Sequence, residues 1–289
     1  MTTREAWTLI TAAGLHLEAT SWQPQAPPRG KVVLLHGLGS HVERLAPVAE
    51  ALCAAGYAVA GFDQRGFGRS QGRCGHVPSL QAWFDDIEAF LREPPGRGDS
   101  GLPLFLYGHS MGAVLALAFT LARRPPLAGV IATSPALRSR VAEQPLKLAL
   151  VRGLGRLLPT LPLDSGLDRS QLSRDPSVQA SVEADPLCHR TVTIGWGRAM
   201  LQAIQLANSQ ASCFPVPLLL LHGTQDAIAY PSGSEAFAAN APAGRATLRL
   251  WQGLGHELHS DPEREAVFRC LIAWLDQRVD QLLEPGSEG

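Results

Sequence analysis

The run Leu104-Phe-Leu-Tyr-Gly-His-Ser-Met-Gly-Ala113 most constrains what this chain can fold into. Its first four residues suit a strand buried on both faces. Gly108-His109-Ser110-Met111-Gly112 then turns the chain into an apolar stretch, Ala113 to Ala122, rich in helix formers. Strand, G-x-S-x-G and helix in that order form a nucleophile elbow. The flanking glycines let strand and helix approach closely and leave the Ser110 hydroxyl exposed on a tight turn. The helix amides behind it point to where negative charge would develop on an attacked carbonyl. The plain alternative is a glycine–serine loop without chemistry; the strand before it and the helix after it weigh against that.

Other apolar runs repeat the pattern. Lys31–Leu35, Tyr57–Phe62, Gly129–Thr133, Val216–Leu221 and Ala246–Trp251 read as strands, and residues 43–55, 79–92 and 261–283 as helices. Residues 6–22 read as an antiparallel hairpin turning at Ala13-Gly14. Strands alternating with helices predict an α/β fold, a mostly parallel sheet covered on both faces. Residues 137–212 carry no strand signal and several helical segments broken by Pro and Gly. The expected division is therefore a core in two parts, 1–136 and 213–289, with 137–212 inserted as a helical cap. Such a cap can lie over the carboxyl ends of the strands, where sheets of this kind bind ligands.

Composition narrows the partners. A net charge of -1 over 289 residues gives no reason to expect nucleic acid. The five cysteines include no C-x-x-C, so neither a zinc site nor a disulfide framework is expected, and no metal or cofactor. The first residues carry an acid at Glu5 and no apolar core, unlike a signal peptide. The longest apolar run, Met111 to Ala122, is too short for a membrane span. A cytoplasmic protein with no obligate protein partner is the expectation.

A serine nucleophile needs a base, and the base an orienting carboxylate, in the chain order Ser, acid, His for this topology. Strand 216–221 leads to Asp226 and strand 246–251 to His256, each in the loop past a strand end. Asp226 as a solvated loop acid and His259 as a competing base are the alternatives. Two amides would meet the oxyanion: Met111, just after the nucleophile, and Leu38, in the loop after strand 31–35. His36 and His222 read as structural. Asp63, with Arg65 and Arg69, reads as a loop brace rather than a second catalytic acid.

His36-Gly-Leu-Gly-Ser-His41, Asp63-x-Arg-Gly-x-Gly-x-Ser70, Gly108-His-Ser-Met-Gly112, Gly223-x-x-Asp226 and Gly255-His256 together resemble the monoacylglycerol lipase and lysophospholipase branch of the α/β-hydrolases. Leu172-Ser-Arg-Asp-Pro176 and Asp185-Pro-Leu-x-His189 are the more branch-specific motifs, and the resemblance covers nearly the whole chain. It implies hydrolysis of an ester between one long acyl chain and a glycerol-type alcohol. Arg44 and His259 match positions near the alcohol side in that branch. Two positions depart from it: Ser40 stands where the branch usually has Glu, and Val182 where it often has Tyr. Ser40, Arg44 and His259 are thus the expected alcohol-side patch, with a surface hydrogen-bond cluster as the alternative.

Between Leu146 and Leu163, leucines are dense and interrupted by Lys147, Arg152 and Arg156, which predicts a helix with one broad apolar face. Part of that face would pack on the body. The rest, with Leu154 and Leu158, would line an acyl tunnel and touch a micelle or membrane transiently. Trp196 and Met200, one turn apart, would continue the lining. The expected function is a serine esterase acting on monoacylglycerols or similar single-chain lipid esters through an acyl-enzyme. The alternatives are a small-ester carboxylesterase and a non-catalytic binding protein of the same fold. Ser110 at the elbow argues against an epoxide hydrolase or haloalkane dehalogenase, which carry Asp there.

Overall fold

The apolar runs that lack alternation need cover on both faces, and the fold supplies it in two layers. The structure, a computed structural model, describes residues 2–93, 101–139, 153 and 157–283. The chain opens with an antiparallel hairpin, β1 (Thr3–Ile10) and β2 (His16–Gln23). Then come β3 (Gly30–Leu35), α1 (Ala46–Ala54), β4 (Tyr57–Phe62), α2 (Leu80–Arg92), β5 (Leu104–His109), α3 (Met111–Arg123) and β6 (Gly129–Thr133). A 3-10 turn, Val42–Leu45, begins what the sequence reads as one helix from residue 43. Pro47, with no N–H to donate, suits the first turn of α1.

Among the described residues, the main sheet has eight strands in the order β1-β2-β4-β3-β5-β6-β9-β10, with β9 at Leu218–Gly223 and β10 at Ala246–Trp251. β2 is antiparallel to both of its neighbours, and every pairing from β4 to β10 is parallel. Successive side chains go to opposite faces. Val33, Leu35, Leu106, Leu218 and Leu220 join the core under α2 and α3, while Val32, Leu34, Phe105, Leu219 and Leu221 join the core under α1 and α7 (Arg264–Leu283). Helix α7 starts three residues later than the pattern suggests, because the Asp261 carboxylate is taken by Arg174 and by the amide of Glu263.

The inserted stretch departs from the expectation of helices alone. β7 (Pro162–Asp164) pairs antiparallel with β8 (Thr191–Thr193). Three residues per strand are too few to leave an alternating signature in the sequence. Two helices follow the expectation, α4 (Pro176–Ala184) and α5 (Ile194–Ser209). α5 packs against α3 and shares its core through Trp196, Ala199, Met200 and Ala203. The last helix before β10 is α6 (Pro231–Asn240).

Several bonds tie the inserted stretch to loops at the carboxyl ends of the parallel strands. His189 N–H donates to Gly39 O at 3.2 Å, Thr193 N–H to Gly75 O at 2.9 Å, and Glu257 N–H to Leu172 O at 2.7 Å. His41 Nε2 meets Asp185 Oδ2 at 2.7 Å. Leu154, and most of the leucine-rich helix expected around it, lies outside the described residues. No helix among the described residues is long and apolar enough to cross a membrane.

The loop after β4 is clamped to α2 by a buried ion pair: Arg65 donates to both oxygens of Asp86, at 2.5 and 2.6 Å. Removing one partner of such a pair strands the other charge away from water. Asp86→Ala should therefore lose about 3–5 kcal/mol of unfolding free energy, read from urea denaturation.

Candidate active site

Ser110 is the single residue between β5 and α3, at φ 54° and ψ -114°. A side chain other than glycine rarely adopts this conformation, and it persists here because the neighbours hold it. A Cβ on Gly108 would lie 2.3 Å from Gly112 O, and one on Gly112 would lie 2.2 Å from Leu35 O. Only glycine fits at either position. Ser110 N–H donates to Thr133 O at 2.9 Å, and Ser110 O accepts from the amides of Ala113 and Val114.

The structure brings Ser110, His256 and Asp226 together. His256 Nε2 lies 2.9 Å from Ser110 Oγ, and His256 Nδ1 lies 2.7 Å from Asp226 Oδ2. Asp226 Oδ1 accepts from the amides of Ile228 and Ala229, both at 2.9 Å. His222 presents Nε2 to Asp226 Oδ2 at 3.1 Å and to Ala229 O at 2.9 Å, while its Nδ1 meets the Ser234 hydroxyl at 2.7 Å. A carboxylate with this many donors stays ionised. Burial opposes its charge, but the neighbouring histidines and their hydrogen bonds hold Asp226 well below the usual carboxylate range. His256 is its counterpart: burial disfavours the imidazolium, yet the adjoining Asp226 carboxylate more than offsets this, so its pKa is raised.

His259 is placed differently. It packs edge-on against His109 at 4.8 Å, and burial pulls its pKa down to about 4. His109 in turn tilts against His256 at 5.0 Å, and burial takes its pKa well below the ordinary value. His256 is thus the only one of the three raised toward charge, and it alone carries a carboxylate on Nδ1.

The loop after β3 packs directly on the serine: a Cβ on Gly37 would sit 3.4 Å from Ser110 Cβ. His36 orients this loop. The Gln64 amide donates to His36 Nε2 at 2.9 Å, which leaves Nδ1–H to donate to Gly37 O at 2.8 Å. The Gly37–Leu38 peptide is trans, so the Leu38 N–H points opposite to the held carbonyl. Met111 opens α3, where a backbone N–H has no acceptor within the helix. Both residues line the cavity that opens on Ser110.

That cavity has two characters. Leu163, Val192, Trp196, Met200 and Ile204, all from the inserted stretch, make an apolar wall. Arg44, Glu257 and His259, which lie against one another, make a polar end, and Ser40 joins the lining from the same stretch of chain as Arg44; Asp164, Ser165 and Thr193 add polar groups from the insertion. Leu158 is 48% exposed and is not on the described lining. Asp63 braces its loop as read from the sequence, accepting from the amides of Val42 and Arg69 at 2.7 and 2.9 Å.

Sequence reasoning missed Glu257, His109 and the contact of His222 with Asp226. A charged residue between two candidate histidines was the available signal for Glu257; the other two need the fold. One set of metal-ligating atoms lies within 4.8 Å among the described residues: His41, Asp185 and Cys188. Its histidine and carboxylate already bond to each other, and burial pushes the Cys188 thiol up to about 11, so the sulfur stays protonated rather than offering a thiolate.

The family described as "Serine aminopeptidase, S33" matches residues 26–263. The chain belongs to that family. This S33-family chain is 32% identical, over 94% of its length, to an uncharacterized abhydrolase domain-containing protein of Dictyostelium discoideum, and spans 29% of that longer protein. It is 30% identical to the monoacylglycerol lipase of Mycolicibacterium smegmatis, over 94% of its own length and 97% of the relative's. The crystal structure of Paleococcus ferrophilus monoacylglycerol lipase matches it with a TM-score of 0.83 at 33% identity, covering 91% of this chain and 99% of that one. The fold is that of the α/β-hydrolases.

The His36 assignment is open to measurement. Its Nδ1–H tautomer should persist in nitrogen-15 NMR spectra from pH 9 to 5.5, because burial pulls its pKa to about 4. An imidazolium appearing near pH 6.5 would remove it as the anchor of the Leu38 peptide.

Proposed function

We propose that this chain is a serine ester hydrolase that cleaves monoacylglycerols or similar single-chain lipid esters through an acyl-enzyme. The observation that carries the reading is the hydrogen-bonded line Ser110–His256–Asp226, with steps of 2.9 and 2.7 Å, at the floor of a cavity with an apolar wall and a polar end. The monoacylglycerol lipases among the relatives and solved structures support the same substrate class.

In this reading His256 Nε2 takes the Ser110 proton as Oγ attacks the ester carbonyl. The Leu38 and Met111 amides receive the charge that develops on the carbonyl oxygen. His256 then returns the proton to the departing alcohol, leaving the acyl group on Ser110. Water attacks the acyl-enzyme by the same route in reverse. Asp226 keeps the proton on Nδ1, so that Nε2 is free to act as base, and stabilises the imidazolium.

Residues 137–212 act as the cap between core segments 1–136 and 213–289, and supply the acyl lining through Trp196 and Met200. Leu157 and Leu158, 76% and 48% exposed, favour transient contact with a micelle or membrane surface. Leu154 belongs to the same leucine-rich stretch. The five unpaired cysteines suit reducing, cytoplasmic surroundings. The family description speaks of an aminopeptidase, which needs an acid free to meet a substrate ammonium. The acid beside the base here, Glu257, is already engaged by Arg44 at 3.0 Å.

Ser110→Ala should abolish ester hydrolysis and labelling by a fluorophosphonate while the circular dichroism stays native. On wild-type protein, kcat/KM for glyceryl esters should climb from acetate upward until the cavity is full, by up to about fourfold per methylene, since each buried methylene contributes about 0.8 kcal/mol. A protein fastest on acetate, with no gain on lengthening, would leave the small-ester carboxylesterase instead.

The pH profile tests the base. Protonated His256 cannot accept the Ser110 proton, so kcat/KM should fall on acidification through the raised pKa of His256. Asp226→Asn removes the charge that raises it. The acid limb should then move to lower pH, and kcat should drop by about 10⁴-fold, the scale known for this change in another serine hydrolase. An unmoved limb would assign it to a different group.

A further inference from the structure

The polar end of the cavity holds an ion pair that no substrate contact requires. Arg44 Nη2 donates to both Glu257 oxygens, at 3.3 and 3.0 Å. The two side chains are 13% and 8% exposed, so the pair is largely out of water. Glu43, beside Arg44 in the chain, turns away to Arg4 and Arg69. Glu257 is one residue past His256, and its amide is bonded to Leu172 O at 2.7 Å. Its position is therefore tied to that of the base.

Read alone, Arg44 is an anion hook at the mouth of a lipid site. The structure gives the hook a permanent occupant. Burial works against the Glu257 charge, but His259, Arg44 and His256 more than offset it and hold the carboxyl below its ordinary value. His259 and His109, which also line the cavity, are neutral, since burial lowers both. Asp164, further along the wall, lies 3.3 Å from Arg190. This lining offers an incoming anion no surplus of positive charge, and it sets a carboxylate facing it.

A hydroxyl meets a different surface. It donates and accepts at once, and here it finds an acceptor in Glu257 and a donor in Arg44. His259 Nδ1 adds a further polar atom, buried and without a hydrogen-bond partner, on a residue 2% exposed that lines the cavity.

We infer that Glu257 is a specificity-determining residue which, by neutralising Arg44, makes the alcohol side accept uncharged polyol esters such as monoacylglycerols and reject esters whose alcohol carries a phosphate. This rests on the ester-hydrolase reading above and narrows its substrate class. A site with an unopposed arginine would take phosphate-bearing lysolipids, because guanidinium–phosphate pairs are strong where water is excluded. The paired carboxylate cancels that attraction and leaves the phosphate to lose its water without a counter-charge, a form of selectivity that acts against the wrong ligand rather than for the right one.

The test compares 1-decanoylglycerol, 1-decanoylglycerol 3-phosphate and p-nitrophenyl decanoate, each below its critical micelle concentration. Wild-type kcat/KM should favour the glyceryl ester over its phosphate by at least about 100-fold. Glu257→Gln keeps the side-chain shape and frees Arg44. It should shrink that ratio at least tenfold, mostly through KM for the phosphate ester, whereas Glu257→Asp should retain it. If Glu257→Gln lowers all three substrates by the same factor and leaves the ratio unchanged, Glu257 is structural support and the inference is overturned. A second measurement needs neither turnover nor a variant: calorimetric binding of 1-O-decylglycerol and of its 3-phosphate, ethers that cannot be cleaved. The neutral ether should bind the wild type at least about 100-fold more tightly. Equal binding overturns the inference even if the glyceryl ester is hydrolysed. Hydrolysis of none of the three esters, with the ethers still discriminated, would instead sink the ester-hydrolase reading and leave the head-group selectivity standing.

Discussion

Everything at the candidate site depends on backbones approaching closer than a side chain allows. Gly112 lies so near Leu35 O, and Gly108 so near Gly112 O, that a Cβ at either would fall within 2.3 Å of backbone. Gly223 stands in the same relation to Leu254 O and Gly255 O, again at 2.3 Å. The first contact seats the helix start under the loop after β3. The second presses the end of β9 onto the loop after β10. Together they bring the three loops carrying Leu38, Asp226 and His256 around Ser110. A parallel sheet spreads its strand ends along one edge; these contacts gather them to a point. The strain at Ser110, φ 54°, is the local cost of that gathering.

Burial then decides which groups can carry charge. Five histidines lie within the core around the site: His36, His109, His222, His256 and His259. Desolvation lowers His36, His109 and His259, whereas His256 is raised. The difference is a carboxylate with four donors of its own, close enough to share a proton line with Nδ1. One imidazole is thus poised to gain a proton, in a setting where His109 and His259 resist gaining one. The sheet core excludes water at that point, which strengthens the Asp226 effect rather than screening it.

Much of this was legible in the sequence because strand ends are easy to find. Apolar runs without alternation marked the parallel strands, and the residues just past them became Ser110, Asp226 and His256, which the structure places within hydrogen-bond distance. The hairpin at 6–22 and the helix at 79–92, capped by Ser79 on the Ala82 amide, needed only local rules. What escaped was non-local or too short. The β7–β8 ladder has three residues per strand. Glu257 matters because Arg44 comes from a loop 213 positions away. His36 was read as structural, but its hold on the Gly37 carbonyl depends on Gln64, which no spacing rule brings beside it. Leu158 looked like lining because leucine density does not say which face turns inward; it lies in an exposed turn before β7.

The two halves of the cavity come from different parts of the chain, and this has a physical consequence. Ser40, Arg44, Glu257 and His259 stand on loops rooted in the ends of β3 and β10, next to the strained serine. They follow closely in the chain on Leu35, Leu254 and Gly255, whose carbonyls make the close glycine contacts. Leu163, Val192, Trp196, Met200 and Ile204 stand on the insertion. The insertion meets the core where α5 packs on α3 and α2, through hydrogen bonds at Gly39, Gly75 and Glu257, and through the pairs His41–Asp185 and Arg174–Asp261. Polar recognition needs atoms held to within tenths of an ångström, whereas apolar lining needs only volume and exclusion of water. The ion-paired polar groups next to the base stand on the core edge, and most of the apolar lining stands on the insertion, which also adds Asp164, Ser165 and Thr193. The polar residues beside the base and the apolar residues of the insertion, about fifty to ninety positions earlier in the chain, are thus independent parts of one cavity lining.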